Sequence, residues 1–237
     1  MEKAFQFPPA PCEYLPDQQA QLFYELPKEL QPVDFMKRLK EGWRRFGPLL
    51  FRPECPSCRK CLSLRVLVAD FRPSESQQRV QRGNEGEIEL RIAAPSIDAA
   101  RLELFINFHE HGHRTKGWPA PTEEAESELR CHLYNPFPTE EWSYWINDRL
   151  VGVGYVDALP EGLSAIYFFH DPDQHQRSLG TFNILTMIER AKERQLPHVY
   201  LGYYVAGCRS LEYKRNFRPN EVLRPDGTWE AFNVACS

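Results

Sequence analysis

The order of elements after Pro138 is the strongest constraint on how this chain folds. Glu141–Asn147 and Arg149–Ala158 read as two strands of a hairpin turning at Asn147-Asp148, a pair of residues suited to the positive φ angles of a tight turn. Pro160-Glu161-Gly162 marks a second turn, and Leu163–His170 a third strand. The polar loop DPDQHQR leads into a helix over Ser178–Gln195, whose Phe182, Leu185, Ile188 and Glu189 pass from its apolar to its polar side. A strand at His198–Tyr204, a short helix at Cys208–Asn216 and a hairpin turn at PDGT, beginning at Pro225, complete the half. An antiparallel meander followed by helix, strand and hairpin defines an α+β domain.

The first half is built differently. Residues 1–32, rich in Pro and Gln, read as irregular. Val33–Glu41 reads as a helix with Phe35, Met36 and Leu39 on one face and Gly42 closing it. Strands are expected at Pro48–Arg52, at Leu62–Val68 and around Ile88–Ile92, where apolar and polar residues alternate. Ser74 followed by Gln77 is a capping-box signature for a helix to about Arg82, ended by Gly83. Two helical stretches follow, near Ser96–Phe108 and Thr122–Tyr134, with HGHRTKGWPAP between them as a loop. We therefore expect a smaller N-terminal α/β domain containing cysteines over 1–95 and a second domain over 96–237.

The bulk numbers exclude several classes. With 42% apolar and 13% aromatic residues in 237, the chain can bury a sizeable core. No apolar run approaches the roughly 18 residues of a membrane span. MEKAFQFPPAP lacks the charged-then-apolar order of a signal peptide, so a cytoplasmic protein is expected. Net charge is −4, which argues against a strongly basic nucleic-acid binder. The charge is uneven, however: Met36–Arg82 carries 12 Lys and Arg against 4 Asp and Glu. Such a segment can be a local phosphate-binding face, although a solvated basic surface is the plainer reading.

Two short motifs invite metal chemistry. Cys55-x-x-Cys58-x-x-Cys61 matches the first three ligands of an iron–sulfur run, but the expected fourth position is Arg65. An odd count of seven cysteines and a reducing compartment argue against a disulfide framework. Flanking Arg59 and Lys60 are expected to lower the thiol pKa values. His109-Glu110-His111-Gly112-His113 spells H-E-x-x-H, yet Gly112 and the following GWPAP make a surface His cluster the better reading than a zinc-protease helix.

The order of elements in the second half resembles the N-acetyltransferase (GNAT) fold, in which two neighbouring strands splay apart and the acyl donor lies in the gap. In that fold the donor's phosphate meets backbone N–H groups at a helix start. Arg177-Ser178-Leu179-Gly180 lies at the matching place, as a partial match to the phosphate loop, with Ser178 as an ordinary helix cap the alternative.

Three segments carry a more specific resemblance. They are GWRRFGPLLFRPECPSCRKCLSLRVLVADFRPSESQQR (Gly42–Arg79), LSAIYFFHDPDQHQRSLGTFNILTMIERAK (Leu163–Lys192) and HVYLGYYVAGCRSLEYKRNFRPNEVL (His198–Leu223). Together with Cys12-Glu13-Tyr14-Leu15-Pro16-Asp17 they resemble the arginyl-tRNA–protein transferases, the bacterial leucyltransferase branch most of all. The resemblance implies transfer of leucine from leucyl-tRNA to proteins with an N-terminal Asp or Glu, marking them for degradation, by a monomer in the cytoplasm. Arginyl-tRNA as donor, or a non-catalytic metal-binding adaptor for acidic N-termini, is the alternative. It further allows an iron–sulfur cluster or zinc on Cys12, Cys55, Cys58 and Cys61. One departure stands out: where the family has Cys-Pro-Lys-Met before a Tyr-Lys pair, this chain has Cys208-Arg209-Ser210-Leu211 and then Glu212, Tyr213 and Lys214.

The chemistry of that reaction sets the remaining expectations. The donor is an activated ester, so alignment and proton removal suffice and no catalytic triad is needed. Asp171, ending the third strand, is the first candidate to hold or deprotonate the amine, against a plain Asp-Pro turn. Tyr167 and Tyr203 are candidates to line the gap. Arg44, Arg65 and Lys214 are candidate cations for the acceptor's acidic side chain.

Overall fold

The structure is a computed structural model that describes residues 3–232. The stretch read as irregular contains four short strands: β1 (Lys3–Gln6), β2 (Ala10–Pro11), β3 (Gln19–Ala20) and β4 (Leu22–Leu26). They hold through cross-strand contacts, such as Phe5 stacked on its partner Tyr24 at 5.3 Å, and pairing of this kind leaves little local signal. Helix α1 (Pro32–Lys40) opens with Pro at its first position, where no N–H is needed, and buries Phe35, Met36 and Leu39. It ends at Gly42 with φ 88°, where a Cβ would lie 2.9 Å from Leu223. The positive φ is what calls for glycine there, since the Leu223 side-chain tip could move aside. β5 (Arg44–Phe46) and β6 (Leu49–Pro53) join β1 and β4 in an antiparallel sheet of order β1-β4-β6-β5.

β7 (Leu62–Leu67) then enters the main sheet. α2 (Glu75–Asn84) starts with both bonds of the Ser74–Gln77 capping box and runs past Gly83 to Asn84, whose amide bonds the carbonyls of Val80 and Arg177 at 2.9 Å each. β8 (Glu89–Ala93) follows. α3 (Ala99–Lys116) continues well beyond Phe108, through the stretch read as a loop, to Gly117 at φ 71°. Gly112 sits inside it because Trp118 folds back onto the helix, and a Cβ there would be 2.0 Å from the indole. α4 (Ala125–Cys131) is shorter than expected.

β9 (Glu140–Ile146), β10 (Arg149–Leu159) and β11 (Gly162–His170) form the expected meander. Asn147 and Asp148 make its first turn at φ 47° and 58°. After a 3-10 turn at Pro172–Arg177 comes α5 (Leu179–Glu193), then β12 (His198–Tyr204), α6 (Arg209–Glu212), a second 3-10 turn (Tyr213–Asn216), β13 (Asn220–Leu223) and β14 (Trp229–Ala231). The main sheet has the order β14-β13-β7-β12-β11-β10-β9-β8. Every neighbouring pair is antiparallel except β11–β12. It draws β7 and β8 from the N-terminal side of residue 95, so one sheet spans the expected division. α5 packs on one face through Ile184, Leu185, Met187, Ile188 and Ala191, with Leu163, Val199 and Leu201 in the same core. α3 and α4 cover β10 and β11 on the opposite face through Leu104, Phe105 and Leu129.

Candidate active site

β11 and β12 pair only over Gly162–Ser164 with His198–Tyr200. Beyond that point β11 runs on to His170 and β12 to Tyr204 with no ladder between them. Each strand also carries a register shift at the parting: β11 skips Ile166 against β10, and β12 skips Leu201 against β7. A one-residue slip flips the side chains that follow to the other face. Tyr155 and Asp157 share a face of β10, so their partners Tyr167 and Ser164 share it too. Ser63 and Arg65 do the same for Tyr203 and Tyr200. The two irregularities thus turn Tyr167 and Tyr203, one on each diverging strand, onto a common face.

Arg44 occupies the fork. Its guanidinium donates to the Ser164 hydroxyl at 3.4 Å and, by a short bond, to the Ala165 carbonyl. A Cβ at Gly202, where φ is 79°, would stand 3.4 Å from its Nη2, so the glycine lets β12 approach this side chain. Arg44 is buried, and burial pulls its pKa down. No carboxylate pairs with it among the described residues. On the β12 side, the Tyr203 hydroxyl donates to the Gly42 carbonyl at 3.0 Å, and Lys214 Nζ donates to the Tyr203 carbonyl at 3.2 Å. Burial lowers the Lys214 pKa to about 7, with the nearby Arg44 charge adding to the effect and Cys208 opposing it. On the β11 side, Tyr167 shares a 2.7 Å hydrogen bond with His109 Nε2 and stacks on His132 at 4.9 Å. His132 stacks in turn on Tyr155 at 5.1 Å. Burial, then the charges of Arg45 and His109, lower its pKa to about 4. Its Nδ1 and the Tyr155 hydroxyl are buried with no hydrogen-bond partner among the described residues.

The other candidates are placed elsewhere. Asp171 is buried, but one oxygen pairs with Arg149 at 2.8 Å and the other accepts from Asp173 N at 3.0 Å. It caps the 3-10 turn, as in the Asp-Pro turn reading, and both carboxylate oxygens are engaged. Arg65 is paired with Glu221 at 2.7 Å and lies over Trp229, which removes it as a free cation. Arg177 pairs with Glu87 at 2.6 Å, just past α2, and donates to Gly83 and Asn84 at the end of that helix at 3.4 Å. Ser178 adopts φ 51° and makes no side-chain cap, correcting the cap reading; Leu179 is buried, while Gly180 borders open space. Tyr213 is exposed at 37%. In the basic segment, Lys37, Arg38, Lys40, Arg45, Arg52 and Arg65 all have carboxylate partners, so much of its charge is neutralised within the fold.

The thiols of Cys12, Cys55, Cys58 and Cys61 lie in one neighbourhood, since the first three together with Cys208 act on Cys61. Burial and those neighbours push the Cys61 thiol up to about 12, against the expected lowering. Arg59 explains part of this, because it donates to the Cys55 and Cys58 carbonyls instead of facing sulfur. Cys55 Sγ accepts from the Gln21 amide at 3.4 Å. Among the described residues no group of three or more His, Cys, Asp or Glu is disposed to hold a metal ion. The H-E-x-x-H stretch is helical, but His109 is bonded to Tyr167 and His113 to the Trp118 carbonyl at 2.7 Å. Among the described residues no helix is long and apolar enough to cross a membrane.

Sequence reading missed Ser164, Gly202 and His132, and placed His109 in a surface cluster. The first two are set by strand register, which no local pattern encodes. The two histidines sit on α3 and just after α4, and only the packing of those helices on β10 and β11 brings them to Tyr167.

The one parallel pair of the main sheet opens at the buried Arg44, with the half-buried Lys214 on the β12 side. Family models described as "Arginine-tRNA-protein transferase, N terminus" and "Arginine-tRNA-protein transferase, C terminus" match residues 10–79 and 100–224. The chain belongs to this family of transferases. Similar proteins named aspartate/glutamate leucyltransferase occur in Marinobacter nauticus (36% identical, 97% of this chain and 96% of that protein) and Campylobacter jejuni (35%, 93% and 92%). Another, from Pseudomonas aeruginosa, is 34% identical over 91% of each chain. Among solved structures, L-PGS from Bacillus licheniformis overlays with a TM-score of 0.48 at 11% identity, covering 73% of this chain and 59% of that one.

Proposed function

We propose that this protein transfers leucine from leucyl-tRNA to the N-terminal amine of proteins that begin with Asp or Glu, on a GNAT-like frame, giving the product an N-terminus that marks it for degradation. The observation that carries the reading is Arg44, a buried guanidinium wedged where β11 and β12 part, with no carboxylate partner among the described residues. A buried charge without a counter-ion is costly, and a carboxylate supplied by the acceptor's first residue relieves that cost. Two of its five N–H donors are engaged by Ser164 and Ala165, leaving others for a carboxylate. The names of the similar proteins supply the leucyl donor and the acidic acceptor.

The reaction asks little covalent chemistry of the protein. The aminoacyl ester is already activated, and holding amine and ester together can contribute up to roughly 7–11 kcal/mol. In this reading Tyr167 and Tyr203 flank the opening from opposite strands. The backbone N–H groups that start α5 beside Gly180, where a side chain would meet nothing within 4 Å, receive a phosphate of the tRNA 3′ end.

The experiment is a transfer assay with leucyl-tRNA or arginyl-tRNA and peptides beginning with Asp, Glu, Asn or Gln. Labelling of the Asp and Glu peptides from leucyl-tRNA is expected. Peptide binding without labelling would reduce the protein to an adaptor, and labelling from arginyl-tRNA alone would reassign the donor.

A further inference from the structure

An amine that attacks an ester must shed a proton, and the groups around the opening differ in their ability to take it. Asp171 is held in its ion pair with Arg149 and in the turn it caps. His132 is buried between two tyrosines with its pKa lowered to about 4, too weak a base for an ammonium. His109 is bonded to the Tyr167 hydroxyl on the far wall. Lys214 stands apart. It has no carboxylate partner among the described residues, and its Nζ is fixed 3.2 Å from the Tyr203 carbonyl on the unpaired end of β12. Burial disfavours its charge most, the Arg44 guanidinium of β5 adds to that, Cys208 at the start of α6 opposes it, and the Tyr203 carbonyl accepts its hydrogen bond. Desolvation, with a guanidinium nearby, shifts a lysine towards the neutral amine.

Resting on the transfer reaction above, we propose that Lys214 is the proton acceptor for the attacking N-terminal amine, while Arg44 holds the acidic side chain of the same residue. Lys214 takes a proton from the acceptor nitrogen as its lone pair attacks the ester carbonyl. The new C–N bond forms, the C–O bond to the terminal ribose breaks, and the ribose oxygen recovers the proton from the Lys214 ammonium. Atoms and charge balance with no other reactant. The acceptor's α-amine, with an ordinary pKa of about 7.7–8.0, and a lysine near 7 are closely matched, as efficient proton transfer requires.

The test is single-turnover transfer from leucyl-tRNA to an Asp-starting peptide across the neutral pH range, for the wild-type protein, Lys214→Arg and Lys214→Met, with peptide affinity measured on the same samples. Lys214→Met removes a half-buried charge at similar volume and should fold. Expected are a wild-type rate that rises with pH around 7, and a loss of about 10²–10⁴-fold in both variants with that midpoint gone and peptide affinity kept. Partial recovery of Lys214→Ala by trimethylamine, which cannot form a stable amide, is also expected. Wild-type rates in Lys214→Arg, or peptide affinity falling as far as turnover in Lys214→Met, would overturn the assignment. Absence of transfer by the wild-type protein at every pH would instead remove the reaction on which it rests.

Discussion

Arg44 and Arg45 are neighbours on one short strand, and their surroundings are opposite. Arg45 is buried and fully answered: Asp157 at 2.7 Å and by a second short bond, Thr139 at 2.8 Å, Asn135 at 2.7 Å, and the Phe137 ring at 5.0 Å. It fastens the small sheet to β10. Arg44 is equally buried, yet it meets one hydroxyl and one carbonyl at the place where the main sheet opens. A fold that needs only cohesion gives a buried arginine its carboxylate. A fold that needs to receive a carboxylate leaves one arginine without it, and the stability forgone is available for binding.

The largest expected effect separates the pair most clearly. Asp157→Asn strands the Arg45 charge and should cost about 3–5 kcal/mol in urea denaturation. Arg44→Met should be neutral or stabilising in the same measurement while transfer to acidic peptides falls. Equal destabilisation by both substitutions would break the contrast.

The wall made by Tyr155, His132 and Tyr167 gives a pH signature. The His132 pKa is about 4 folded against 6.5 as the ordinary value, so the unfolded chain binds the proton first. Its stabilising contribution is complete above about pH 6.5 and is lost as pH falls towards 4, with a slope approaching about 1.4 kcal/mol per pH unit. His132→Phe keeps the stack, removes the orphaned nitrogen and should flatten the stability–pH curve in that window. An unchanged slope would place the acid sensitivity elsewhere.

The smallest effects come from the two tyrosine hydroxyls. Tyr167→Phe and Tyr203→Phe each delete one hydrogen bond, to His109 and to the Gly42 carbonyl, and should cost about 0.5–1.5 kcal/mol. Tyr203→Phe tests more than stability, because that bond positions the strand end whose carbonyl holds Lys214. A fall in turnover beyond the stability change is expected for Tyr203→Phe.

What could be read from the sequence divides along the same line as the two arginines. Local chemistry was legible: the Asn147-Asp148 turn, the Ser74–Gln77 capping box, the alternation in β7 and the apolar face of α5 each appear where their residues demand. Features created by tertiary contact were not. β1–β4 are held by cross-strand pairing, and α3 tolerates Gly112 only because Trp118 returns to cover it. Tyr167, Tyr203, Arg44 and Lys214 were singled out as chemically suitable side chains. What assembles them is the parting of β11 from β12 and a skipped residue in each, which periodicity cannot signal. Asp171 and Arg65 drew notice for the same chemical reasons, and the fold gives them Arg149 and Glu221 as partners.

The most direct measurement is the ratio of leucine transfer to Asp-starting and Asn-starting versions of one peptide, in the wild-type protein and in Arg44→Gln. A charge-assisted bond worth about 1.5–3 kcal/mol predicts a wild-type ratio of roughly ten to a hundred that collapses towards unity in the variant. A ratio that survives the loss of Arg44 would mean the acidic residue is read elsewhere, and the fork between β11 and β12 is not where the acceptor binds.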